Sequence, residues 1–161
     1  MKFTSELHYL SSDFYQKYSN PPFSEILYNK SGRAYNCLFI KTERNYYICL
    51  PFRSNMSHKY GYRFQNSKRA KRSKSGLDYK KMVMVRNEDI KYIDLTCHAV
   101  VDQDEYREMK RSIKRIVREA TSFLDEYISF KNGEPRISKE EFDRRYTQSP
   151  LQYFNAELGL R

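Results

Sequence analysis

Apolar and polar positions are ordered most clearly in "AYNCLFIKTERNYYICLPF". Two runs rich in aromatic and branched residues, 34–41 and 46–52, flank the polar "TERN", the pattern of two strands joined by a turn. Pro51 has no amide donor, so it predicts the end of the second strand or an edge position. Upstream, residues 1–20 predict a short extended piece and then a helix. Ser11 or Ser12 caps that helix, with Phe14, Tyr15 and Tyr18 on one face. "NPPF" at 20–23 breaks it, because consecutive prolines deny both the helical amide and the helical conformation before them. "YKKMVMV" (79–85) and "IKYIDL" (90–95) predict two further strands joined across "RNED".

From Asp102 the period changes. Tyr106, Met109, Ile113, Ile116, Ala120, Phe123 and Tyr127 recur at spacings of three and four, which predicts one long amphipathic helix. Asp102 suits its N-cap, and Asp104 and Glu105 suit the positive end of its dipole. Lys110, Arg111, Lys114, Arg115 and Arg118 lie off the apolar stripe, as a solvated face or as a second RNA-facing surface. "KNGEPR" stops the helix, and Ser138 opens a shorter one through Arg145, with Glu141 completing a capping box. The tail from Gln148 packs through Leu151, Tyr153 and Phe154. Residues 54–77 have little periodicity and predict a long loop with a short strand at "GYRF"; long ordered loops are usually functional. The expected fold is a single α+β domain over residues 1–161. Its several short strands suggest a compact, twisted antiparallel β-barrel, elaborated by helices.

Charge sharpens this picture. The chain of 161 residues has a formal net charge of +10, and the stretch from Arg53 to Lys91 holds 12 Lys/Arg against 3 Asp/Glu. Such a concentration is the footprint of a polyanionic partner, nucleic acid first and anionic lipid second. The 15 Tyr and 10 Phe suit stacking on unpaired bases, although most of these rings belong in a core. No stretch of about 18 apolar residues exists, and "MKFTSELHYLSSDFY" lacks the apolar segment of a signal peptide. A cytoplasmic protein without membrane contact is expected. Cys37, Cys49 and Cys97 are widely spaced in apolar surroundings and read as reduced core thiols. A Cys/His zinc site using His98 is the other reading, without a C-x-x-C pair to support it. No cofactor and no metal are expected.

The candidate chemistry sits in "PFRSNMSHK" at 51–59, directly after a strand. Arg53 offers a bidentate grip on phosphate, Ser54 a small hydroxyl, His58 a proton carrier near neutral pH and Lys59 a second cation. RNA carries its own nucleophile, the 2′-hydroxyl, so an RNase needs proton transfer and cations rather than a metal. No D-x-D, H-E-x-x-H, Walker loop or nucleophile elbow is present.

The chain resembles the endoribonuclease toxins of type III toxin–antitoxin systems, the ToxN/CptN/TenpN group known from phage defence, and most of all the CptN and TenpN branches. The resemblance rests on the opening "MKF" with the early Tyr9, then "GRAYNCLFI", "YYICLPFRSN", "HKYGYRFQNS", "SGLDYKKMVMV" and the late helix. It implies a barrel of the kind shared with MazF- and Kid-like toxins. It implies metal-independent cleavage by 2′-hydroxyl attack, leaving 2′,3′-cyclic phosphate and 5′-hydroxyl ends. It also implies a small repeated RNA antitoxin, which the toxin cuts and then holds as folded pseudoknots, with no obligatory protein partner. By position, Ser54 matches the serine after the hairpin, Arg33 the basic residue before the first core strand, and Tyr9 the early tyrosine. The ToxN branch has Thr-Ser-x-Lys at the hairpin exit, where this chain has Arg53-Ser54-Asn55-Met56. The missing lysine leaves its role to His58, Lys59 or Arg53.

The expected catalytic set is therefore Ser54, His58, Arg33, Tyr9 and Arg53, with base and acid unassigned. The expected RNA-binding set begins with Lys30, Asn55, Lys59 and Arg63. It continues through Lys68, Arg69, Lys71, Arg72 and Lys74 to Lys80, Lys81, Lys114 and Arg118. A non-catalytic RNA-binding module fits the charge and the aromatic residues equally well. A DNA-binding regulator lacks a helix-turn-helix pair, and membrane-surface binding lacks an apolar insertion face.

Overall fold

A computed structural model describes residues 1–27, 36–96 and 99–160. The expected site residues Lys30 and Arg33, and the thiol and imidazole of Cys97 and His98, lie outside these. Strand β1 (Thr4–Leu10) leads into helix α1 (Ser12–Lys17), whose N-cap is Ser11: its hydroxyl accepts from the Phe14 amide. Strands β2 (Asn36–Lys41) and β3 (Tyr46–Arg53) form the expected hairpin, paired from Cys37↔Pro51 to Lys41↔Tyr47. Pro51 neither ends β3 nor lies at an edge. β3 is the central strand, and two partners share its far side. Strand β6 (Val83–Arg86) pairs with Tyr46 through Cys49, and strand β5 (Gly76–Asp78) pairs with Phe52 and Arg53. Pro51 falls in the gap between them, where a missing donor breaks no ladder.

Between β3 and β6 the chain is more ordered than its sequence suggests. Strand β4 (Gly61–Arg63) coincides with "GYRF" and pairs with β5. Helix α2 (Lys68–Ser73) occupies part of the expected loop. Beyond β6, "IKYIDL" becomes a 3-10 turn at Ile90–Tyr92 and a two-residue strand β7 (Ile93–Asp94), which pairs with β1 rather than β6.

The sheet is antiparallel, seven-stranded and open. Its order is β4-β5-β3-β2-β1-β7, with β6 beside β3. The expected barrel does not close: β4 and β7 end the path, and no pairing among the described residues joins them. Strands of two or three residues at both ends offer too little ladder to do so. The α+β class stands.

The long helix is two helices, α3 (Gln103–Arg111) and α4 (Ile113–Lys131). They part at Ser112, whose amide reaches both Glu108 O and Met109 O and whose hydroxyl lies 2.9 Å from the Tyr62 hydroxyl. Asp102 sits at the cap position without a side-chain cap bond. On α4 the apolar stripe is as expected, with Ile116, Val117, Ala120, Phe123, Leu124 and Tyr127 buried. They meet Leu38, Ile40, Ile48, Leu50, Leu77 and Met84 of the sheet in one core. On α3 the inward side is Glu105, Glu108 and Met109, while Tyr106 is exposed. Helix α5 (Lys139–Tyr146) is capped by Ser138, whose hydroxyl accepts from the Glu141 amide. Glu141 itself turns to Tyr60, Arg144 and Arg145, so the box is only half made. Leu151 and Phe154 of the tail are buried. Cys37 and Cys49 are buried, reduced thiols, and burial pushes the Cys37 thiol up to about 12. Among the described residues no helix is long and apolar enough to cross a membrane.

Candidate functional site

The exit from β3 is pinned on every side. Arg53 still pairs with Gly76 of β5. Asn55 then takes a left-handed conformation, φ 56°, which its short polar side chain tolerates. Its amide bonds to Ser73 O, and the Met56 amide to Lys74 O at 3.1 Å, so the loop is stitched to the end of α2. The Met56 side chain is fully buried against Gly61 and Gly76, where a Cβ would meet its thioether within 3 Å. Arg63 closes the loop from the other side, donating to Met56 O at 2.8 Å and His58 O at 3.1 Å. Arg63 thus holds the loop in shape, whatever else it touches.

Beneath the loop lies a fully buried carboxylate, Asp78. It accepts from Arg53 Nη1 at 2.9 Å, from His58 Nε2 at 3.1 Å and from the Lys81 amide at 3.1 Å. Burial would raise its carboxyl, but the hydrogen bond from His58 and the hydrogen bond and charge of Arg53 outweigh that and hold it below its ordinary value. The other ring nitrogen of His58, Nδ1, accepts from the Tyr60 amide at 3.0 Å. A carboxylate only accepts and an amide N–H only donates, so the neutral ring with its proton on Nε2 satisfies both partners. Both nitrogens of His58 are therefore engaged within the protein. The arrangement suits orientation of Arg53 better than proton transfer to a substrate.

On the outer side of the exit, Ser54 is exposed, and its Oγ accepts from Arg69 Nη1 at 3.3 Å. No described residue accepts from the Ser54 hydroxyl, so it can donate to an incoming oxygen. Arg69 is anchored from behind by the buried Glu105, with contacts of 2.9 Å from Nη2 and 3.2 Å from Nε. Glu105 also accepts from Ser67 and Ser75 hydroxyls at 2.9 and 2.8 Å. Glu108 takes the amides of Gln65 and Asn66, at 3.0 Å each, and the Tyr62 hydroxyl at 2.9 Å. Asp104 takes the Lys68 amide at 3.1 Å. The acidic side of α3 thus clamps the basic segment, a role for Asp104 and Glu105 beyond the helix dipole that their sequence positions suggest.

What remains outside is a set of exposed cations on or beside α2: Lys68, Lys71, Arg72 and Lys74. They flank Ser54, because Ser73 and Lys74 carry the backbone that holds Asn55 and Met56. Lys59 is exposed, with its ammonium 5.7 Å from the Tyr60 ring centre. Lys114 and Arg118 are exposed on α4. Lys80 and Lys81 are turned elsewhere. Lys80 donates to Arg144 O at 3.0 Å, and Lys81 to Glu25 at 2.8 Å and Gln148 O at 2.7 Å. Tyr9 lies at the same end of the sheet as Arg53, by the pairs Tyr9↔Asn36 and Cys37↔Pro51. It is two strands away, roughly 10 Å, and its hydroxyl accepts from the Val100 amide at 3.3 Å. The structure so brings together Ser54, Arg53, Asn55 and Arg69 with the α2 cations, and leaves Tyr9, Lys80 and Lys81 apart from them.

Sequence reasoning gave Asp78 and Glu108 no role and Glu105 only a helix-dipole role. Asp78 is a lone acid inside the basic stretch, and that charge mismatch was the available signal for it. Among the described residues, no group of three or more His, Cys, Asp or Glu is placed to hold a metal ion. No known protein family, characterised protein or solved structure matches the chain.

Proposed function

We propose that this chain is a metal-independent endoribonuclease of the type III toxin kind, acting at the exit of β3. The observation that supports it is the exposed Ser54 hydroxyl beside the anchored Arg69 guanidinium, on a backbone stitched to the cationic α2. In this reading the RNA 2′-oxygen bonds to phosphorus and releases its proton. The bond from phosphorus to the 5′-oxygen breaks, and that oxygen takes a proton. Ser54, Arg69 and Arg53 stabilise the charge that grows on the phosphate oxygens, the kind of pre-set electrostatic help that carries most catalytic power. Lys68, Lys71, Arg72 and Lys74 hold the flanking phosphates. His58 positions Arg53 through Asp78, and proton transfer falls to Lys59, to Arg33 or to the RNA itself. The natural partner in this reading is a repeated, folded RNA, both substrate and inhibitor, in the cytoplasm.

One observation favours the second reading, a non-catalytic RNA-binding module: both ring nitrogens of His58 are engaged by the protein. Incubation with a defined RNA in EDTA, followed by analysis of the new ends, separates the two. The enzyme leaves 2′,3′-cyclic phosphate and 5′-hydroxyl ends, and Ser54→Ala loses cleavage while keeping most of its RNA affinity. Binding without cleavage by the unaltered chain selects the module. Cleavage that needs magnesium and leaves 5′-phosphates overturns the proposed chemistry.

A further inference from the structure

The outer edge of β1 is open over its first half. β7 covers only Tyr9 and Leu10, and the Leu7 carbonyl accepts weakly from the Ala99 amide at 3.4 Å. That last bond shows which way the backbone faces. In a strand, alternate residues present both their amide and their carbonyl to the same side, so Ser5 faces outward with Leu7. No described residue bonds the main chain of Ser5 on that side. An edge of this kind is a template for another strand.

The surroundings match a protein partner rather than a nucleic acid. A cavity of about 440 Å³ lies on one face of the edge, lined by Ser5, Leu7, Val100, Tyr106 and Met109 among others. A smaller one, about 80 Å³, lies on the other, lined by Thr4, Phe39, Ile90 and Leu95 among others. Ile90, Leu95, Val100 and Tyr106 are 49, 57, 77 and 41 % exposed. Among the described residues the only other large apolar side chain so exposed is Met1, at the N-terminal end of the same edge. Exposed apolar groups gathered on both sides of an unpaired strand mark an interaction surface.

We propose that the β1 edge pairs with the β1 edge of a second copy of this chain, forming a two-fold dimer with a continuous sheet. Charge complementarity sets the occupant and the register. A two-fold axis at Thr4 places Phe3 opposite Ser5 of the second copy, and both residues face outward and exchange main-chain hydrogen bonds. The same axis places Lys2 opposite Glu6, and the new ladder ends before Leu7, whose carbonyl the Ala99 amide already occupies. Lys2 and Glu6 then form a non-hydrogen-bonded pair, the closer kind, with opposite charges facing each other twice over. An axis one residue further on places Glu6 opposite Thr4 and Lys2 opposite His8, and loses both charge pairs. The interface is independent of the β3 exit and of RNA.

The test is sedimentation velocity of the full chain, freed of RNA, over rising protein concentration. A reversible dimer is expected. Glu6 is exposed, but its carboxylate also lies 2.7 Å from Nε2 of the buried His8, so a thermal melt first establishes that Glu6→Lys is folded. Glu6→Lys sets two Lys–Lys pairs across the axis and should weaken the dimer about tenfold. Lys2→Glu alone, at an exposed residue, sets two Glu–Glu pairs and should weaken the dimer equally. Adding Lys2→Glu to Glu6→Lys restores opposite pairs in swapped order and should restore the dimer. A monomer at every concentration overturns the proposal and leaves this edge to an extended segment of a different protein. A dimer indifferent to Glu6→Lys, or one that Lys2→Glu fails to restore, also overturns it.

Discussion

Replacing Asp78 by Asn removes one charge and one acceptor from the interior without changing the side chain's shape. The carboxylate is fully buried and takes three donors: Arg53 at 2.9 Å, His58 at 3.1 Å and the Lys81 amide at 3.1 Å. An asparagine has a single acceptor oxygen, and its amide group faces at least one of these donors. Breaking a buried pair by removing one partner costs about 3–5 kcal/mol. The Arg53 side chain is 32 % exposed and regains part of its hydration, which places the loss at the lower end, about 3 kcal/mol. For a chain of this length that is a fall of roughly 6–12 °C in melting temperature. The pH dependence carries a sign. Asp78 titrates below its ordinary value in the folded chain, so between the two values the unfolded chain binds more protons. Its stabilisation is complete above about pH 4 and fades as pH falls toward the folded value. Urea unfolding of both proteins at neutral pH and at descending pH measures this. The gap between them should be widest at neutral pH and shrink under acid. A loss under about 1 kcal/mol, or a gap that stays constant down to about pH 3, refutes the account of Asp78 as the charge that sets this loop.

Neutralising Lys71, Arg72 and Lys74 together should weaken RNA binding and flatten its salt dependence, by a slope of about 0.7 for each phosphate of a single strand that is no longer neutralised; binding titrations over a salt series read both. His58→Ala should lower stability by about 1.5–3 kcal/mol, since a hydrogen bond to a charged group is removed, yet leave any limb of the pH–rate profile near pH 6–7 in place. Single-turnover cleavage across pH checks it, and loss of that limb would return proton transfer to His58. Gly61→Ala should destabilise by about 1–3 kcal/mol, because the new methyl would sit 2.5 Å from Leu77 O and 2.8 Å from the Met56 sulfur; thermal melts measure it.

How far the chain could be read in advance followed the range of the interactions. The β2–β3 hairpin and the caps at Ser11 and Ser138 rest on neighbours in sequence, and each was legible. Helix α2 was not, because "KRAKRS" buries no residue and so has no apolar period. It stands on the Ser67 cap and on Asp104 and Glu105, some 36 positions away. Pro51 misled because a strand with one partner per side cannot tolerate it in the middle, whereas β3 changes partner at that point. The break at Ser112 left no mark on the hydrophobic period, which continues across it. For the candidate site, Ser54 and Arg53 were readable from their place after a strand. Asp78 and Glu105 act across the fold, and the sequence marked only Asp78, as an acid set among lysines.

Arg53 and Gly76 are paired neighbours, so the chain that leaves β3 at residue 54 returns to the same strand about 5 Å away. The whole excursion is therefore a closed detour that begins and ends at one rung of the ladder. Closing a longer detour adds only about 0.6 kcal/mol for each doubling of length. Its anchors, which are Met56 under the glycines, Arg63 across the loop, the β4–β5 ladder and the α3 carboxylates over α2, lie beneath the outer surface. Insertions at the exposed positions on and beside α2 can therefore reshape the outer surface while the rest of the sheet folds as before. The positions that shape this exposed surface are thus separate from those that hold the sheet together.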